Sequence, residues 1–152
     1  MDARDLDDIE GALELRLPTA YRSLMLAYPF GPESQAAELW LPADPDAVVG
    51  DTDRARRSFA LQGQPWPRDF IIVGGDGGEA LYVLDLSREP APVLAFELET
   101  GNTRPLAPNV TAFAELLRAR EAEIDADERA MEHRELTKPQ RRGEHSWWHF
   151  WR

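Results

Sequence analysis

The 152-residue chain contains no cysteine, which excludes a disulfide framework, a zinc–thiolate centre and a thiol nucleophile. It has no apolar run of membrane-spanning length. The opening MDARDLDDIE carries neither a basic n-region nor an apolar h-region, so no secretory signal is expected and a soluble cytoplasmic protein is the simplest reading. Catalytic signatures are missing as well. No H-E-x-x-H pairs zinc ligands with a general base, no G-x-S-x-G surrounds a serine, and no G-K-S/T follows the glycine-rich stretch. Carboxylate pairs such as Asp7 and Asp8, or Glu97 and Glu99, carry no glycosidase signal in a chain with 28 acidic residues. Binding rather than catalysis is expected, without metal or cofactor. The enzyme alternative is a metal-dependent hydrolase: His145 and His149 would share a helix face, with His133 or Glu144 as a further ligand. Histidines set between tryptophans read better as members of an aromatic cluster.

Acid is what the chain has in excess, and it is unevenly placed. Of the net charge of −11, residues 1–53 hold 12 acidic against 3 basic side chains, residues 54–108 hold 7 against 6, and residues 109–152 hold 9 against 8. Such a field repels nucleic acid and anionic membrane and raises the encounter rate with a basic partner, with plain solubility as the alternative. Asp5, Asp8, Glu14, Asp44, Asp46 and Asp51 crowd the region holding most of the charge and are the candidate partner contacts.

Glycine is concentrated in VGGDGGEALYVLDL, Val73 to Leu86. Phe70 to Val73 in front of it is a short β-rich run, and Leu81 to Leu86 behind it alternates with the period of a strand. The stretch is therefore a hairpin turn, in which glycine supplies positive φ at no steric cost, and not a phosphate or calcium loop. Asp76 lacks the further oxygen ligands that calcium requires.

Elsewhere the spacing of apolar residues predicts most elements. Leu6, Ile9, Ala12 and Leu13 form one helical stripe, and Tyr21, Leu24, Met25 and Tyr28 form a second after Pro18. Leu39 to Leu41 reads as a strand, and Asp44-Pro45-Asp46 as the capped start of a helix through Val48, Val49 and Ala55, weakened by Gly50. After the hairpin, Val93 to Glu99 alternates as a further strand that would bury Leu94, Phe96 and Leu98. Thr100-Gly101-Asn102 makes a turn, and Arg104 to Ala107 a short edge strand. Asn109 or Thr111 then caps a long helix burying Val110, Phe113, Leu116 and Leu117, which turns densely charged beyond Arg120.

This order of pieces resembles the SUKH superfamily, the Smi/Knr-like immunity and regulatory proteins. The likeness spans roughly residues 5–118 and rests on Leu17-Pro18 followed by Tyr21, Leu24 and Met25, on the glycine turn running into Leu84-Asp85, on Val93, Phe96 and Glu99 before Thr100-Gly101, and on Phe113, Leu116 and Leu117. Leu98 stands where many members have histidine. The resemblance implies an α+β fold, an antiparallel sheet of about 4–6 strands covered by N-terminal helices and a long C-terminal helix. Residues 1–120 would form that domain, and residues 121–152 a charged helical extension, a basic linker and an aromatic tail. It further implies an immunity protein that neutralises a cognate toxin by stoichiometric binding, the acidic surface favouring a toxin with a basic face such as a nuclease. A regulatory scaffold for an endogenous protein is the alternative. In that setting Asp85 reads as a strand-end carboxylate accepting backbone hydrogen bonds, against a partner contact.

The terminal HSWWHFWR places Trp147, Trp148, Phe150 and Trp151 within five residues. Four such rings left bare would form an adhesive patch. Docking on the chain's own surface, exchange into a second copy as a homodimer contact, and use as a partner anchor all remain open.

Overall fold

Each helix before the sheet begins where the chain supplies a cap or a proline. In the computed structural model, which describes residues 1–137, α1 (Ala3–Leu13) opens on Asp2, whose Oδ1 accepts the N–H groups of Arg4 and Asp5 at 2.8 and 3.0 Å. The Asp5 carboxylate returns the bond to the Asp2 N–H at 2.7 Å, so two orphan donors are satisfied reciprocally. α1 ends on Glu14 in the left-handed region, φ 53°. α2 (Thr19–Leu26) starts directly after Pro18, and α3 (Pro45–Leu61) starts with Pro45 behind the cap Asp44. Gly50 sits inside α3 without interrupting it.

Four strands follow as an antiparallel meander in the order β1 (Phe70–Gly75), β2 (Ala80–Asp85), β3 (Val93–Glu97) and β4 (Thr103–Ala107). Registers such as Ile72 to Val83 and Val83 to Leu94 put these residues on one face, where Ala55 of α3, Trp66 and Phe96 complete a buried cluster. The buried Trp66 indole donates to the Phe70 carbonyl at 3.0 Å. On the other face the Tyr82 ring meets Phe113 edge-on at 5.5 Å, and Phe113 belongs to α4 (Val110–Thr137). A sheet covered on both faces explains why β2 is buried at five of its six positions rather than alternating. Thr52 on α3 is fully buried, and its hydroxyl accepts the Ile72 N–H at 3.0 Å, pairing a donor on the sheet's edge strand. Asn109 caps α4 by accepting the Ala112 N–H.

The fold is α+β as expected, and four sequence-level expectations are corrected. Leu39 to Leu41 is not a strand: Ala36–Trp40 forms a π-helical turn closed by the Leu41 N–H on the Ala36 carbonyl at 2.8 Å. A Leu-Trp-Leu run fits either period, and the tie is broken by side chains that cap the turn. The Glu121 carboxylate accepts the Ala36 N–H and the Ser34 hydroxyl accepts the Ala37 N–H. Leu98 is 46% exposed because the hairpin closes early, through Glu97 to Asn102 and Gly101 to Glu97 backbone bonds, which leaves Leu98 in the turn. Leu116 is also 46% exposed; Val110, Phe113, Ala114 and Leu117 fill the buried stripe of α4, and Leu116 lies one residue, about 100°, off it. Ala12 is exposed for the same reason beside Ile9 and Leu13.

The chain divides into a unit spanning Met1–Glu121 and a second beginning at Ala122. In the second, none of residues 122–134 is buried, and Asp125, Glu128, Arg129 and Glu132 line a shallow groove along the helix.

Candidate functional site

In a four-stranded meander the β1–β2 and β3–β4 turns fall at the same end of the sheet, and both carry acid. Asp76 organises the first turn. Its Oδ1 accepts the N–H groups of Gly78, Glu79 and Ala80 at 3.1, 3.0 and 2.9 Å, and its own N–H donates to the Ala80 carbonyl. Partial desolvation disfavours the charged carboxyl, but the N–H groups of Ala80, Gly78 and Glu79 together outweigh it and hold Asp76 below the usual carboxylate range. Gly77 supplies φ +97° at the tip. Gly74 is required by close approach: a Cβ there would run into the backbone carbonyl of Trp40. The π-turn is thereby seated on β1, and Leu39, 37% exposed, reaches the glycine tip, its Cδ2 3.3 Å from where a Cβ on Gly77 would be.

The second turn lies alongside, tied to the first by the Leu98 N–H on the Glu79 carbonyl at 3.0 Å. Between the turns is a cleft of about 700 Å³ whose lining includes Asp76, Glu79, Glu97, Leu98, Glu99 and Arg104. Glu97 accepts the Thr100 hydroxyl at 2.9 Å, whereas Glu79 and Glu99 are exposed, and among the described residues neither makes an ion pair.

The π-turn is held from its other side as well. The Arg120 guanidinium carbon lies 4.6 Å from the centre of the Trp40 ring, and the Tyr28 hydroxyl donates to the Leu41 carbonyl at 2.6 Å. Burial, with the Glu121 carboxylate as a lesser cause, pushes the Tyr28 phenol up to about 12. Tyr21 is fully buried; burial, reinforced by Tyr28, raises its phenol further, and among the described residues its hydroxyl has no protein partner.

The six acids singled out from the sequence lie on α1, on α3 and at their ends, and none lines this cleft. α1 packs on α3, and the Leu13 carbonyl at the end of α1 accepts from Arg56 of α3 at 3.4 Å. Three of the six have local work. Asp5 closes the capping box, the Asp44 carboxylate accepts the Asp46 and Ala47 N–H groups, and Asp51 pairs with Arg54 at 2.9 Å. Asp8, Glu14 and Asp46 are exposed, with no side-chain hydrogen bond or ion pair among the described residues. The neighbouring Asp7 and Glu10 engage Arg22 at 2.7 and 3.4 Å. Trp147, Trp148, Phe150 and Trp151, with His145 and His149, lie outside the described residues. Among the described residues no three acidic or histidine side chains are grouped to hold a metal.

Sequence reasoning passed over the cleft because Glu97 and Glu99 looked like background acidity and Asp76 like a turn residue. The signal was available in the meander itself, which brings alternate turns together.

A helix-flanked antiparallel sheet with acidic turns at one end defines a domain of α+β class. The chain matches the SMI1 / KNR4 family (SUKH-1) over residues 1–116 and belongs to it. That family includes immunity proteins and Smi/Knr-like proteins, which are generally non-catalytic. No curated protein and no solved structure matches the chain. No helix among the described residues is long and apolar enough to cross a membrane.

Proposed function

We propose that this protein is an immunity protein that neutralises a cognate toxin by stoichiometric binding and acts through charge complementarity on a basic toxin surface such as that of a nuclease. The observation that carries this reading is the state of its acids: Asp8, Glu14 and Asp46 are exposed and, among the described residues, uncommitted in the part of the chain that holds most of the net charge. Carboxylates without an internal partner contribute fully to the long-range field that steers a basic partner. Family membership supports the class of function and includes a second reading, a regulatory scaffold on an endogenous protein, which predicts a partner encoded away from the gene.

The test is co-expression with the product of the adjacent gene. A stable one-to-one complex that abolishes toxicity is expected, with an association rate that falls steeply with salt. Reversal of Asp8 and Asp46 to lysine should slow association about tenfold at low ionic strength. Toxicity undiminished by co-expression, with no complex formed, rejects the immunity reading.

A further inference from the structure

From the geometry we infer that the partner is engaged by the acidic end of the sheet, where a basic side chain flanked by apolar ones, an arginine or lysine on a protein surface, enters the cleft between the β1–β2 and β3–β4 turns. This rests on the immunity reading only for the identity of the partner. Two independent observations converge on the spot. One is charge: among the described residues Glu79 and Glu99 face the cleft exposed and without an ion pair, Asp76 is held ionised by three N–H groups, and Arg104 is the lone cation of the lining. The other is apolar exposure. Most large apolar side chains among the described residues are buried, and of the exceptions Leu98 and Leu39, 46% and 37% exposed, lie on either side of the same turn. Leu39 abuts Gly77, while the Leu98 backbone bonds Glu79 two residues further on. Exposed leucines bordering unpaired carboxylates form the mixed surface that binds an amphipathic cation, whose stem needs apolar cover and whose head needs a counter-charge.

The surface is also presented by rigid backbone. Asp76 fastens one turn, Glu97 fastens the other through Thr100, and the π-turn that carries Leu39 is locked to Gly74 on one side and to Glu121 and Arg120 on the other. Such a site needs little ordering on binding, so its contacts convert more fully into affinity.

The test has two arms. In the first, the full chain is titrated with the peptide acetyl-Leu-Arg-Leu-amide while backbone amide NMR shifts are followed. Shifts confined to residues 76–80, 97–101 and Leu39 are expected; they should vanish when glutamate replaces the peptide's arginine and weaken at least about threefold in the double variant Glu79→Gln/Glu99→Gln. Shifts centred on α1 and α3, or none, overturn the inference. In the second, the adjacent gene's toxin is bound to variants whose altered side chains are exposed and leave the core intact. Glu79→Lys/Glu99→Lys should slow association at least about tenfold at low salt, and Leu98→Asp should speed dissociation. Unchanged constants in both variants, with a loss on reversing Asp8 and Asp46, overturn the cleft while the immunity function stands. If the toxin does not bind the wild-type protein at all, the immunity reading falls and the peptide arm alone decides the cleft.

Discussion

Asp85 at one end of the sheet and Glu79 and Glu99 at the other are carboxylates in opposite settings. At the end formed by the β2–β3 connection, Asp85 is 3% exposed and fully employed: it accepts the Ser87 N–H at 3.0 Å and hydroxyl at 2.6 Å and meets Arg88 Nε at 3.2 Å. The recess beside it, about 330 Å³, is bordered by Arg16, Arg88, Glu89 and the start of α2. At the opposite end Glu79 and Glu99 stand in solvent without ion pairs among the described residues. The first arrangement builds the fold, and the second leaves charge available to another molecule. The N-terminal acids divide along the same line, with Asp5 and Asp44 spent on helix caps and Asp8, Glu14 and Asp46 without a side-chain partner among the described residues.

The largest expected effect tests whether the acidic end depends on the seat of the π-turn. Gly74→Val should destabilise the protein by about 3 kcal/mol or more, because the clash is with the Trp40 backbone and no rotamer relieves it. Urea denaturation with an unchanged midpoint would show that the π-turn lifts away without consequence. Next, Asp85→Ala should cost about 1 to 2 kcal/mol by removing the buried carboxylate that accepts the part-buried Ser87 N–H and hydroxyl. Glu79→Gln and Glu99→Gln should stay within about 0.5 kcal/mol of wild type, as exposed sites do. Equal losses at the two ends would erase the distinction between them.

Among the N-terminal acids the contrast is smaller. Asp44→Ala should cost about 1 kcal/mol through the lost cap of α3, and Asp8→Asn close to nothing. Thermal melts of the two variants check this. Tyr21 provides the converse case, a buried hydroxyl without a protein partner among the described residues, so Tyr21→Phe should leave stability unchanged or raise it by up to about 1 kcal/mol. A marked loss in urea would mean that the hydroxyl is satisfied after all.

The smallest effect is one of pH. The folded value of Asp76 lies below its ordinary 3.8, so its contribution to stability is complete above that value and is lost as pH falls through the lowered folded one. Asp76→Asn should therefore flatten the acid limb of the stability curve below about pH 4. An identical acid limb in both proteins would assign that loss to other carboxylates.

Local chemistry made several elements legible. Asp44-Pro45 announced α3, Asn109 or Thr111 announced α4, with Asn109 the cap that forms, and the glycine stretch announced a hairpin, because caps and positive-φ turns are decided by neighbouring residues. The candidate site was legible only in part. Six acids were chosen by where charge is dense along the chain, but density does not reveal that a carboxylate such as Asp5 is occupied by its own helix.

By itself, then, the amino-acid order determined the α+β class, the helix starts, the hairpins and the acidic character, all of which depend on residues a few positions apart. Tertiary structure alone decided the rest. Leu39 to Leu41 became a π-turn because Glu121 arrives from α4 to cap it, a contact between residues 85 positions apart. Leu98 and Leu116 stayed outside because the sheet ended early and the helix stripe was already full. The acidic cleft exists because folding sets two turns side by side, and no spacing along the chain records how close they come.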